Sequence, residues 1–167
     1  GMRQAFRALA ERFVDEKSAP VKDTDAIKIN LLGLTPLDFS VVGNVEALLD
    51  WCAAEGFDVI SSWAMHTTLS DIARSAEADV NLVLSSTALD AANVLQERFG
   101  TPYVIGLPMG ADACGRIADL LKEAARTGEN RALWDEAASS DPDAPRTLIL
   151  GEPVFAASLR WVLGDRN

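Results

Sequence analysis

Runs of strand-length apolar sequence, each separated from the next by a stretch of helical period, constrain this chain more than any other feature. The runs are Ala26–Gly33, Phe57–Trp63, Asp79–Ser85, Pro102–Gly106 and Arg146–Gly151. Strands that alternate with helices build βαβ units, in which each crossover helix returns the chain to a parallel neighbour. The run interiors are nearly continuous Val, Ile and Leu, as parallel strands covered on both faces require. The expected fold is therefore α/β: a Rossmann-like (flavodoxin-like) open parallel sheet of about five strands, in the order 2-1-3-4-5, with helices on both faces.

The helices have readable ends. Asn44 is placed to cap a helix that runs to Gly56, a residue suited to a left-handed stop. Thr68-Leu69-Ser70-Asp71 and Thr87-Ala88-Leu89-Asp90 both read as capping boxes with Asp in place of Glu. Leu89, Ala92, Leu95 and Phe99 mark the apolar face of one helix, and Ile117, Leu120, Leu121 and Ala124 that of the next, which ends near Gly128. Glu129–Pro145 then reads as loop, with Asp141-Pro142-Asp143-Ala144-Pro145 within it. Residues 3–17 form an amphipathic helix with Phe6, Leu9, Ala10 and Phe13 on one side. That helix either packs on a flank of the sheet or binds a partner.

At 167 residues the chain holds one domain or a little more. No apolar run approaches the ~20 residues that span a bilayer. Gly1-Met2-Arg3 opens no secretory signal, and the expected location is the cytoplasm. Net charge is −10, and residues 26–110 hold three basic and ten acidic side chains. Nucleic-acid backbones need clustered Lys and Arg, so that class of partner is excluded. Cys52 and Cys114 lie far apart inside expected helices and form neither a disulfide framework nor a metal knuckle. With His66 the only imidazole, a self-contained zinc or iron–sulfur site is not expected.

Ligands of open parallel sheets bind beyond the carboxyl ends of the strands. The loops there are Leu34–Gly43, Ala64–Thr67, Ser85–Thr87, Leu107–Ala111 and Glu152–Pro153. None carries G-x-G-x-x-G or G-x-x-x-x-G-K-[ST], so a dinucleotide or P-loop phosphate cradle is absent. Gly33 is expected to permit a sharp turn. The ligand-facing candidates are Thr35 and Asp38 after the first strand, Trp63 and His66 after the second, and Ser85 after the third. His66 reads either as an acid/base or axial ligand or as a solvated loop histidine. Trp63 could stack on a planar ligand or pack at a subunit face. Ser85 lacks the elbow of a nucleophile and is expected to cap a helix.

Ile29-Asn30-Leu31-Leu32-Gly33 and Leu34-Thr35-Pro36-Leu37-Asp38 resemble the opening of the second domain of the nitrogenase component 1 family. The likeness continues through Leu48-Leu49, Gly56, Thr68–Ile72, Ala78–Val83, Leu95–Tyr103 and Leu107–Gly110 to Leu150–Pro153, covering about residues 27–164. That family includes molybdenum–iron protein subunits, cofactor scaffold proteins and dark-operative tetrapyrrole reductases. The resemblance implies a three-domain subunit that pairs with a paralogous subunit. It implies electrons taken from an ATP-dependent iron protein and passed through an iron–sulfur centre to a metal cofactor or tetrapyrrole.

The family's cluster cysteines belong to an amino-terminal domain not represented here, and Ser85 stands where catalytic molybdenum–iron proteins carry a cofactor-ligating cysteine. The isolated chain is thus expected to hold no cofactor and to be inactive alone, any iron–sulfur or metal cofactor belonging to the full-length complex. The expected division is a flanking helix and connector at 2–25, the middle domain at 26–145, and the first βα unit of a further, truncated domain at 146–167. Apolar faces left uncovered by such a division predict a homodimer of the isolated chain. The competing reading is a non-catalytic scaffold or assembly module that keeps the fold without the cluster.

Overall fold

A computed structural model of the chain describes residues 1–16, 25–40, 42–135 and 148–164. Among these, β1 (Ile27–Leu32), β2 (Phe57–Trp63), β3 (Val80–Val83), β4 (Tyr103–Ile105) and β5 (Arg131–Ala132) form a single sheet in the order β2-β1-β3-β4-β5, with every pairing parallel. The open α/β fold expected from the alternation is the fold observed.

Helices cover both faces. On one side α3 (Asn44–Ala54) and α6 (Gly110–Thr127) bury Val45, Leu48, Cys52, Ile117, Leu120 and Leu121 against Ile29, Leu31, Leu82 and Val104. On the other, α1 (Met2–Arg12), α4 (Leu69–Ala73) and α5 (Leu89–Phe99) bury Phe6, Ala10, Ile72, Ala91 and Leu95 against Leu32, Trp63 and Val83. Odd and even strand positions thus serve different cores, which is why the strand interiors are apolar throughout. The amphipathic amino-terminal helix packs on the flank and ends at Arg12, short of the expected Lys17, which lies outside the described residues.

The second core also contains a polar knot. The Asn30 amide donates to the Ser75 carbonyl at 2.9 Å and to Asn81 Oδ1 at 2.8 Å. Ser61 Oγ donates to Asn30 Oδ1 at 2.7 Å, and the Trp63 indole N–H reaches the Ser61 and Ser75 hydroxyls at 2.9 and 3.0 Å. A slipped pairing of β1, β2 or β3 would strand these buried groups, each at a cost of about 1–3 kcal/mol. The knot thereby selects one register.

Two expectations about strands and caps are corrected. The fifth strand is Arg131–Ala132, inside the stretch read as loop, and not Arg146–Gly151. Leu148–Leu150 belongs to no strand, and its two leucines are 81% and 84% exposed. Arg146 and Thr147 lie outside the described residues. What draws β5 to the sheet is the next residue: Leu133 is buried over Gly106, where an added Cβ would come within 2.9 Å of the Leu133 Cβ. A two-residue strand is too short to show a period. As for caps, Thr68 and Asp71 form the expected box, but Thr87 and Asp90 do not. Gly43 occupies the cap position of α3 in a left-handed conformation (φ 73°), while the Asn44 amide donates to the Phe39 carbonyl instead.

Candidate functional site

The carboxyl edge of the sheet is shaped by a short helix within a stretch that the sequence presents as loop. Thr35 ends the turn after β1, and its hydroxyl accepts from the Asp38 N–H; Pro36 supplies a preset φ at the first helical position. The result is α2 (Pro36–Phe39), which presents Asp38 at the sheet edge. Thr35 Oγ1 donates back to Asp38 Oδ2 at 2.8 Å.

Ser85 reaches the same carboxylate oxygen from the end of β3, donating to Asp38 Oδ2 at 3.1 Å. Its lone pairs take the Thr87 N–H at 3.3 Å and the Thr87 hydroxyl at 3.0 Å, so it also caps the 3-10 turn Ser86–Ala88. The capping role expected for Ser85 is present, though on this turn and not directly on α5. Gly33 makes the approach of the two loops possible. It turns with φ 94°, and an added Cβ would sit 3.1 Å from both the Cβ and the N of Ser85.

A second carboxylate joins from the far end of the chain. Glu152 precedes α7 (Pro153–Gly164) and accepts the Ser86 N–H at 2.6 Å and the Phe155 N–H at 2.9 Å, with Oε1 lying 3.5 Å from Ser85 Oγ. Asp38 and Glu152 therefore meet at one hydroxyl. Among the described residues neither is paired with Lys, Arg or His.

The two carboxylates line a crevice of about 710 Å3 whose remaining wall is mostly apolar. Leu37 and Phe39 come from α2, Leu48 and Trp51 from α3, and Leu84 from the end of β3. Leu107, Pro108 and Met109 form the loop after β4, Cys114 lies on α6, and Phe155 closes the α7 side. No basic side chain contributes to it. Glu152 is a site residue that the sequence reading misses, although it lies in one of the edge loops; an acid directly before Pro153 at a helix start is the signal that could have found it. Trp51 sits inside a helix and carries no signal.

Of the residues put forward from sequence, the structure brings Thr35, Asp38 and Ser85 together and holds the other two elsewhere. Trp63 is fully buried in the opposite core, its ring 6.3 Å from that of Phe6. His66 has a positive φ of 55° and an exposed side chain, with Nε2 3.4 Å from Glu46 Oε1. It lines a separate hollow of about 260 Å3 with Pro36, Val45, Glu46 and Met65.

The described residues do not fit an iron–sulfur cluster, which the family would imply. No three His, Cys, Asp or Glu side chains among them come together as ligands. Burial pushes the Cys52 thiol up to about 12, and burial, with Glu55 nearby, raises that of Cys114. Cluster ligation needs thiolates, and both groups are held as thiols. No helix among the described residues is long and apolar enough to cross a membrane.

Comparison with known proteins converges on one family. The family described as nitrogenase component 1 type oxidoreductase matches residues 1–145. A light-independent protochlorophyllide reductase chain of Dinoroseobacter shibae is 34% identical over 160 residues, covering 91% of this chain and 28% of that protein. Its counterpart in Rubrivivax gelatinosus is 37% identical over 132 residues, covering 75% and 24%. The nitrogenase iron-molybdenum cofactor biosynthesis protein NifE of Methanosarcina barkeri is 32% identical over 104 residues, covering 62% and 22%. The chain spans about a quarter of the length of these relatives.

Proposed function

Since the chain belongs to the nitrogenase component 1-type oxidoreductase family, we propose that it is the Rossmann-like middle part of a subunit that walls the ligand site of a nitrogenase-like complex. Electrons would come from an ATP-dependent iron protein, by way of a cluster held outside this chain and with a paralogous subunit as partner. This chain's own residues would bind and orient the electron acceptor and exclude water around it.

The crevice at the carboxyl edge carries this reading. Its volume of about 710 Å3 lies within the ~300–1,000 Å3 typical of small-molecule sites, and it stands where parallel sheets bind their ligands. Between the two acceptor classes of the family, the apolar wall of Leu37, Phe39, Trp51 and Met109 favours a flat organic ring of the tetrapyrrole kind over a metal cofactor. Thr35 and Ser85 hold Asp38 at the rim, and His66 faces an adjoining hollow.

Titration with a metal-free porphyrin, followed through tryptophan fluorescence, tests the reading. Saturable quenching is expected, and it should be lost in Leu37→Asp/Phe155→Asp, both of which change exposed rim residues. Quenching that persists in the double variant would place the ring elsewhere and remove the support.

A second reading, a scaffold module without redox chemistry, is favoured by Ser85. Its hydroxyl is fully buried and engaged by Asp38 and Thr87, a role a cluster-ligating thiolate could not fill. Ring binding by the full-length protein, with no ATP-dependent reduction when the paralogous partner and the reductase are supplied, would select it.

A further inference from the structure

The polar end of the crevice has one sign of charge. Asp38 and Glu152 converge on the Ser85 hydroxyl, and every other group facing the space is neutral. Asp38 Oδ2 takes both hydroxyl donors, from Thr35 and Ser85, while its Oδ1 takes none among the described residues. Asp38 is also exposed at the rim. One acceptor of a fixed carboxylate is thus open toward an apolar space, and the second carboxylate is held close by. Half-buried surroundings strengthen such a field, because a low local dielectric screens it less than water does.

We propose that the crevice takes an apolar ring system bearing an amine or other protonated nitrogen, seated on Asp38 with Glu152 behind it, and rejects rings that end in a carboxylate. The proposal rests on the reading of this crevice as the ligand site and adds which ligand chemistry it selects. Charge complementarity decides the occupant. An ammonium or ring N–H would satisfy the open Asp38 oxygen, whereas a propionate-type arm would be desolvated against two like charges with no Lys, Arg or His lining the crevice to offset it. Thr35 and Ser85 act as positioning residues, since their hydroxyls fix which oxygen of Asp38 is left open.

The test uses one metal-free porphyrin core carrying amine arms, methyl-ester arms or carboxylate arms, titrated into the chain by fluorescence. The amine form should bind more tightly than the carboxylate form by roughly tenfold or more, the ester falling between them. Asp38→Asn should shrink that ratio severalfold while leaving ester binding unchanged, a readout that loss of folding would not produce. Equal affinity for amine and carboxylate arms, or preference for the carboxylate, overturns the charge selection and leaves the crevice as a ring site. Binding of none of the three removes the site altogether. If sedimentation then shows a dimer, a second copy of the chain fills the crevice, and both readings are overturned.

Discussion

Ser85 and Asp38, separated by 47 positions in the chain, share a hydrogen bond of 3.1 Å that ties the end of β3 to the short helix following β1. Because Ser85 is fully buried and also caps the turn at Ser86–Ala88, the bond couples a carboxylate at the crevice rim to the sheet itself. Ser85→Ala should cost about 1 kcal/mol from the lost cap, and thermal melting measures it. The same variant should weaken the preference for amine-bearing rings, since Asp38 would then be free to rotate. A variant with unaltered ring preference would show that Asp38 is held by Thr35 alone.

Gly33→Ala probes the geometry that lets these loops meet. The new Cβ would press on Ser85 and on the Ala88 Cβ at 3.2 Å, at a φ that L residues rarely adopt. A loss on the order of 1–3 kcal/mol is expected, a fall of several degrees in Tm for a chain of this length. Gly43→Ala is the control: it also has a positive φ, of 73°, but its Cβ would meet nothing within 4 Å, so it should cost less.

Cysteine labelling separates the crevice from the core. At pH 8 Cys52 should react only on unfolding, because burial holds its thiol at about 12. Cys114 lines the crevice and is only partly buried, so it should label first, though more slowly than a free cysteine. Saturating porphyrin should then protect Cys114. Unchanged labelling in the presence of bound ring would remove the ring from the crevice.

Acid should loosen the α4 region through named groups. The Thr68 hydroxyl and N–H hold the Asp71 carboxyl below its ordinary value, and the Arg74 guanidinium does the same for Glu77. Groups with a depressed folded pKa contribute stability that is present above about pH 4 and is lost as pH falls through the folded value. Melting temperature should therefore drop on acidification from about pH 5 to pH 3. Thr68→Val should lower Tm at pH 7 and flatten the acid dependence. An acid profile identical to that of the unmodified chain would show that Asp71 contributes nothing to it.

The alternation of apolar runs made the sheet, its order and its two helical layers legible, since each run is long enough to show its period and rich enough in Val, Ile and Leu to require cover on both faces. The Thr68–Asp71 cap was legible for a similar reason: both partners lie within one turn. Where that locality ended, reading failed. Arg131–Ala132 is recruited by the burial of Leu133 against Gly106, a contact across the fold, while the more strand-like Leu148–Leu150 stays out of the sheet.

The candidate site divides along the same line. Thr35, Asp38 and Ser85 were readable because loops after parallel strands must share an edge, and the strand ends named them. Sequence could not say that Trp63 turns into the opposite core, because a strand's last residue faces either side according to a register set by Asn30, Ser61, Ser75 and Asn81. Nor could it bring Glu152 to Ser86, or Trp51 to the wall of the crevice. From the sequence alone came the fold class, the family and the exclusion of phosphate cradles, all of which depend on local pattern and composition. Tertiary structure alone decided which side chains share a space and with what charge, because side-chain direction and long-range approach depend on contacts between residues distant in the chain.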